Sequence, residues 1–239
     1  MRVLVTRPMP AAERTATKLT RRGHQPVLLP LMRAEHRLDG LQQGPAPEIA
    51  ALVVTSGEAI RALAELSDDE RRLYLDLPLF AVGETTAAAA RKLDFTKVEV
   101  GGGNGAALAR HLISSPNLDP ARPLLYLAGD PRSPELEQHL VDSSRSFQVV
   151  ECYRMLSIRR ETDELVRVLT PKPDCVLLYS SETARQFAAL LQTDQIASAA
   201  ENIRFLCLSH KIAAALPEDF RPRTAWPMEP REDLLLDLI

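Results

Sequence analysis

Seven short turns carry the residue types that could hold an anion, and one tyrosine stands where it could give up a proton. The turns are Thr6-Arg7-Pro8, Thr55-Ser56-Gly57, Gly83-Glu84-Thr85-Thr86, Gly101-Gly102-Gly103-Asn104-Gly105, Gly129-Asp130, Ser180-Ser181 and Ser209-His210-Lys211. Each closes a strand-like run and precedes a helix-like one. Small and hydroxyl residues there cap a helix and leave its first N–H groups open to an anion. At any single turn ordinary capping explains the residues. Seven such turns opening on one cleft would form a surface of N–H and O–H donors suited to a polyanion. Tyr153 follows the apolar run Phe147–Cys152. A phenol can protonate a leaving hydroxyl, and a tyrosine that packs a hinge reads the same way in sequence.

Other constellations are weaker. Gly101–Ala106 formally fits GxGxxA after a strand, but Asp130 lies further on than a ribose-binding acid should. GxSxG, Walker and HExxH patterns are missing. Cys152, Cys175 and Cys207 are far apart, without CxxC, and fall in or near apolar strands. That favours inert packing in a reducing cytoplasm over a disulfide framework or a zinc site. The five histidines have no ligand-type spacing. No metal and no cofactor are expected.

Composition sets the class. The chain has 239 residues, 45% hydrophobic and 26% charged, with a formal net charge of −3. This excludes disorder and gives no field for nucleic acid. Only Lys18, Lys92, Lys97, Lys172 and Lys211 are lysines among 29 basic residues. No apolar run approaches the ~20 residues of a membrane span. Met1-Arg2 leads straight into Val3-Leu4-Val5, which does not read as a secretory signal. No long amphipathic face is left unexplained, so a monomer is expected.

The elements that must position these turns alternate between strand and helix, the pattern of an α/β protein with parallel sheets. Strands are expected near 2–6, 25–30, 51–55, 79–82, 97–100, 123–128, 147–152, 174–179, 204–208 and 223–226. Helices are expected near 10–22, 57–66, 84–92, 105–114, 133–142, 161–169, 181–191, 209–216 and 231–238. Asp68-Asp69-Glu70 reads as a solvated helix start. The chain also repeats itself. Val53–Ala59 resembles Leu178–Ala184, and Leu79–Glu84 resembles Phe205–His210. Val3–Pro8 resembles Leu124–Gly129, and Val27–Leu31 resembles Val149–Tyr153. Each half therefore carries five strands in one order. Either each half is a lobe, split near residue 120, or the halves exchange strands through the extended segments Leu31–Leu38 and Tyr153–Arg160. Spacing alone does not choose.

The combination of Val5-Thr6-Arg7-Pro8, Leu29-Pro30-Leu31, Val54–Ala59, Ala81–Ala87 and Glu151-Cys152-Tyr153-Arg154 resembles the uroporphyrinogen-III synthase family. Ser180 and the Cys207–Leu216 segment continue the likeness over essentially the whole chain. The resemblance implies an α/β fold of two lobes, each a parallel sheet flanked by helices, joined by a two-stranded linker. The first lobe would be 1–34 plus 159–239, the second 38–152, and the linkers 31–38 and 153–160. It implies cofactor-free cyclisation of hydroxymethylbilane, an octa-acid, with inversion of ring D. No nucleic acid or membrane would take part, and transient contact with the preceding pathway enzyme is left open. It implies Tyr153 as proton donor, with Thr6, Arg7, Ser56, Gly83, Thr86, Gly102, Gly103, Asn104, Ser180, Ser181 and Ser209 facing substrate. The family commonly has threonine where Ile212 stands, so Lys211 or Ser209 would have to substitute. The competing expectation is a non-catalytic two-lobe module that binds a tetrapyrrole or another anion.

Overall fold

A computed structural model describes all 239 residues. In chain order the elements are β1 (Arg2–Val5), α1 (Ala11–Arg21), β2 (Gln25–Leu28), β3 (Met32–His36), β4 (Ala51–Val54), α2 (Gly57–Ala64), α3 (Asp68–Leu75) and β5 (Leu79–Ala81). There follow α4 (Glu84–Lys92), β6 (Val98–Val100), α5 (Gly105–Ser114), β7 (Leu124–Asp130), α6 (Glu135–Asp142), β8 (Phe147–Ser157) and α7 (Thr162–Val168). The last are β9 (Cys175–Leu178), α8 (Ser181–Leu190), α9 (Asp194–Ala199), β10 (Arg204–Cys207), α10 (His210–Ala213), a 3-10 turn (Glu218–Arg223), β11 (Thr224–Ala225) and α11 (Glu232–Leu236). No helix is long and apolar enough to cross a membrane.

The chain divides into two compact units, one of Met1–Arg33 with Leu156–Ile239, the other of Ala34–Met155. The first holds a five-stranded sheet in the order β11-β10-β9-β1-β2. The second is built on the sheet β3-β8-β7-β4-β5-β6. Pairing between β1 and β9 and between β4 and β7 is parallel, as in every pair whose register is defined. The repeat is visible in these orders, since β7, β8, β4, β5 and β6 stand where β1, β2, β9, β10 and β11 stand in the other sheet.

Period-two alternation explains why these strands are apolar throughout. In the first sheet Val3, Val5, Cys175 and Leu177 pack on one face, and Leu4, Val176 and Leu178 on the other. In the second, Leu52, Val54, Leu125 and Leu127 pack on one face, and Ala51, Val53, Leu124 and Tyr126 on the other. Helices cover both faces of these central strands, so their middle positions are apolar on both sides.

Several elements differ from the sequence expectation. β8 does not stop at Cys152 but continues to Ser157, and the extended segment after β2 forms β3 beside it. α3 is a complete helix behind the Asp68-Asp69-Glu70 start, with a capping box in which Ser67 and Glu70 bond each other's backbone N–H. α9 and the 3-10 turn have no counterpart among the expected elements. α10 spans four residues rather than 209–216, because Ala214–Leu216 close as tight turns before Pro217.

Candidate functional site

In both sheets the winding direction reverses at a central pair, β4/β7 in one and β9/β1 in the other. Ligands of open α/β sheets bind beyond the carboxyl ends of the strands at such a reversal. At β4/β7 there is a cavity of about 300 Å³, lined by Thr55, Val82, Gly105, Pro131, Arg132, Ser133, Glu135, Leu136 and Tyr153.

Tyr153 reaches this cavity through a β-bulge. The register of β7 with β8 runs Ala128 to Glu151 and then Gly129 to Tyr153, so Cys152 is the extra residue. A bulge re-aims the side chains that follow it. Here it sends Cys152 and Tyr153 into the same apolar core. The Tyr153 ring lies flat on Gly129, where a Cβ would fall 2.2 Å from the tyrosine Cζ. Tyr153 is 8% exposed, and the Ser56 hydroxyl lies near its phenol. Burial pushes its pKa up to about 12, Ser56 opposes the rise, and Tyr126, Cys152 and Glu58 add to it. The phenol therefore stays protonated at neutral pH.

Around it the polar groups are ordered. Ser56 caps α2 and accepts from the Glu58 N–H at 3.2 Å. Thr55 Oγ1 lies 2.9 Å from the buried Tyr126 hydroxyl, whose pKa burial also raises. Arg132 donates to Glu137 at 2.6 Å and to Glu151 at 2.7 Å. Asp130 pairs with Arg154 at 3.0 Å. That pairing occupies the acid of the dinucleotide-like pattern.

Gly83 begins α4 with extended backbone and no side-chain cap, so the first N–H groups of that nine-residue helix are unclaimed by a side chain. Gly102 and Gly103 have φ of +57° and +90°, a conformation that favours glycine. The Gly103 N–H donates to Val82 O at 2.7 Å, which folds this loop against the cavity wall. Asn104 caps α5 by accepting from Ala107 N–H at 2.9 Å. Thr86 is buried in the first turn of α4. Tyr153, Ser56, Gly83, Thr86, Gly102, Gly103 and Asn104 thus belong to one unit and to the carboxyl end of one sheet.

The remaining expected residues lie in the other unit, and the chemistry there differs. Thr6 is fully buried and donates to Leu177 O at 2.8 Å, so its hydroxyl ties β1 to β9 rather than facing a ligand. Arg7 stacks 4.0 Å over the Tyr179 ring and donates to Glu232 at 2.8 Å. Glu232 also accepts from Thr15 at 2.7 Å, from Tyr179 at 3.0 Å and from Lys18. This network lies beyond the carboxyl ends of β9 and β1, the counterpart of the place where the cavity stands. Ser180 caps α8, accepting from Thr183 N–H at 3.1 Å, and Ser181 donates to Lys211 O at 3.4 Å. Ser209 precedes α10 with no side-chain cap bond. Ile212 packs into the apolar core, and Lys211 is exposed. The caps also show that Ser56 corresponds to Ser180, one position earlier than the likeness of the two segments suggests.

Sequence reasoning missed Tyr126, Arg132, Glu135 and Glu232. Only the position of Arg132 and Glu135 just after a strand end hinted at a ligand site. The thiols stay inert: Cys152 and Cys207 are pushed up to about 12 and Cys175 to about 11 by burial.

The family model described as uroporphyrinogen-III synthase HemD matches residues 13–237. The chain belongs to the uroporphyrinogen-III synthase family. Uroporphyrinogen-III synthetase from Helicobacter pylori 26695 superposes with a TM-score of 0.67 at 18% identity, covering 100% of this chain and 98% of that one. A mutant synthase from the extremely thermophilic bacterium Thermus thermophilus gives 0.54 at 18% identity, covering 100% and 95%. At such identities the two structures bear on the fold, and they share it. No curated protein sequence matches the chain. The activity is that of the uroporphyrinogen-III synthase family, a cyclising lyase of haem biosynthesis that closes hydroxymethylbilane with inversion of ring D. Nothing favours the non-catalytic module.

Proposed function

We propose that the reacting end of hydroxymethylbilane lies in the cavity at β4/β7 and that Tyr153 is its proton donor. The observation that carries this is a buried, neutral phenol, aimed by a bulge across Gly129 into the cavity at the β4/β7 reversal. The Tyr153 O–H protonates the leaving hydroxyl of ring A and the C–O bond breaks. Water leaves with the bonding pair, and the ring nitrogen lone pair fills the gap, giving a cationic azafulvene. The substituted α-carbon of ring D attacks it to form a spiro-pyrrolenine. That species fragments and recloses with ring D reversed. Loss of the ring-D α-hydrogen as a proton restores the pyrrole and returns the proton count to its start.

Uncatalysed closure would join the unhindered carbon, so the protein's main task is to hold the crowded carbon in reach. In this reading the substrate carboxylates take the open N–H groups of α4 behind Gly83, beside Thr86, and the loop of Gly102, Gly103 and Asn104. Within the other unit, Ser180 and Ser181 spend their hydroxyl protons on Thr183 and Lys211, Ser209 makes no cap bond, and Arg7 acts by holding Glu232. The lobes are read as 1–34 with 159–239 and 38–152, linked by 31–38 and 153–160; division of the chain at Arg33/Ala34 and Met155/Leu156 supports this. A monomer working in the cytoplasm is part of the reading, and three buried free thiols support a reducing compartment.

Steady-state kinetics of Tyr153→Phe test the assignment. Loss of a general acid predicts kcat lower by ~10- to 10³-fold with KM little changed. Full activity in that variant would remove Tyr153 from the mechanism.

A further inference from the structure

The cavity beside Tyr153 is poor in spare positive charge. Its one guanidinium, Arg132, is already shared between Glu137 and Glu151. The other charged group in the wall, Glu135, opens α6, and no hydrogen bond or ion pair of the protein involves its carboxylate. Gly105 makes room for it: a Cβ there would lie 3.3 Å from Glu135 Oε2 and 3.1 Å from the Leu136 nitrogen. α5 and α6 therefore begin side by side, and Glu135, an exposed residue, stands at the rim of the cavity without a protein partner for its carboxylate. A wall of this charge repels carboxylates and attracts a cation.

We propose that Glu135 is the counter-ion of the cationic azafulvene, a catalytic residue for the reaction assigned above. The inference rests on that reading of the cavity. When the C–O bond breaks, positive charge appears on the ring-A nitrogen and its N–H becomes a strong donor. A carboxylate accepting from that N–H stabilises the charge as it develops and transfers no proton itself. Preorganised groups aimed at a developing charge usually make the largest single contribution to catalysis. The substrate before ionisation is an octa-anion, so the same carboxylate opposes its binding. Stabilising the transition state while disfavouring the ground state predicts a signature that lost packing would not produce.

Glu135→Gln and Glu135→Asp, compared with the unaltered chain on hydroxymethylbilane generated in situ, give the test. Expected for Glu135→Gln is kcat lower by ~10-fold or more with KM unchanged or lower, the scale of one electrostatic contact. Glu135→Asp, which keeps the charge, should recover most of the rate. Unchanged kcat in Glu135→Gln, or a loss equal in both variants and matched by a fall in Tm, would overturn the proposal and leave Glu135 as a helix-starting residue. If the unaltered chain fails to form isomer III, the underlying reading of the cavity fails instead, and the Glu135 proposal falls with it.

Discussion

At the scale of single residues, the chemistry turns on a phenol kept neutral. Tyr153 is pushed up to about 12 by burial. Its protonated form is therefore complete at neutral pH, and the alkaline decline of kcat/KM due to Tyr153 should fall near pH 12 rather than near 10. A kcat/KM profile measured between about pH 6 and the ordinary phenol pKa of about 10 should show no loss assignable to a phenol. A midpoint at that ordinary value would mean that the ring is solvated and that its aim into the cavity is wrong. Tyr153 could be named from the sequence because it ends an apolar run at a chain crossover. Its partners could not. Tyr126 and Thr55 meet across two strands 71 residues apart, and Glu135 is one acidic residue among 32, with nothing local to mark its missing partner.

At the scale of elements, the site depends on one bulge and one glycine. Gly129→Ala would place a methyl 2.2 Å from the Tyr153 Cζ. The ring must then leave its place against Ser56. kcat should fall at least as far as in Tyr153→Phe, while overpacking reduces stability by about 1–3 kcal/mol. Retention of activity with a normal Tm would show that the ring does not need its seat on Gly129. The second element prediction concerns α11. Burial alone would raise the Glu232 pKa, but hydrogen bonds from Lys18 and Thr15 and the charges of Arg7 and Lys18 hold it below its ordinary value. A carboxylate lowered on folding contributes stability that is complete above its unfolded pKa and lost as pH falls through the folded one. Glu232→Gln should therefore unfold more easily at neutral pH, by about 1–3 kcal/mol. At about 2–4 °C of Tm per kcal/mol for a chain of this size, scanning calorimetry resolves the change. The deficit should shrink below about pH 4, and a deficit independent of pH would contradict the network. Strand positions were readable because two-sided burial makes continuous apolar runs. The bulge was not, because it arises from pairing between β7 and β8 and leaves no mark in β8 alone. α10 is shorter than its alanines suggest, because Pro217 and the turns before it cut the helix short.

At the scale of the whole molecule, one topology has been used twice with different side chains at its reversal. At β9/β1 the reversal carries the network of Arg7, Tyr179 and Glu232. At β4/β7 the equivalent place is a cavity bearing Tyr153. The repeat was legible in sequence because both halves use the same apolar runs and hydroxyl caps. The network at β9/β1 was not, since it centres on Glu232, which opens the helix after the last strand and whose partners lie far away in the chain. Arg7 and Thr6 looked ligand-facing for the same reason: their turn has the right residue types, and only the fold shows that their polar groups are engaged. The central claim is that this chain holds hydroxymethylbilane so that the crowded ring-D carbon reacts. Generating the substrate in situ, adding the purified protein and separating the oxidised uroporphyrin isomers tests it most directly. Predominance of isomer III is the predicted result, and isomer I at the protein-free level would contradict it.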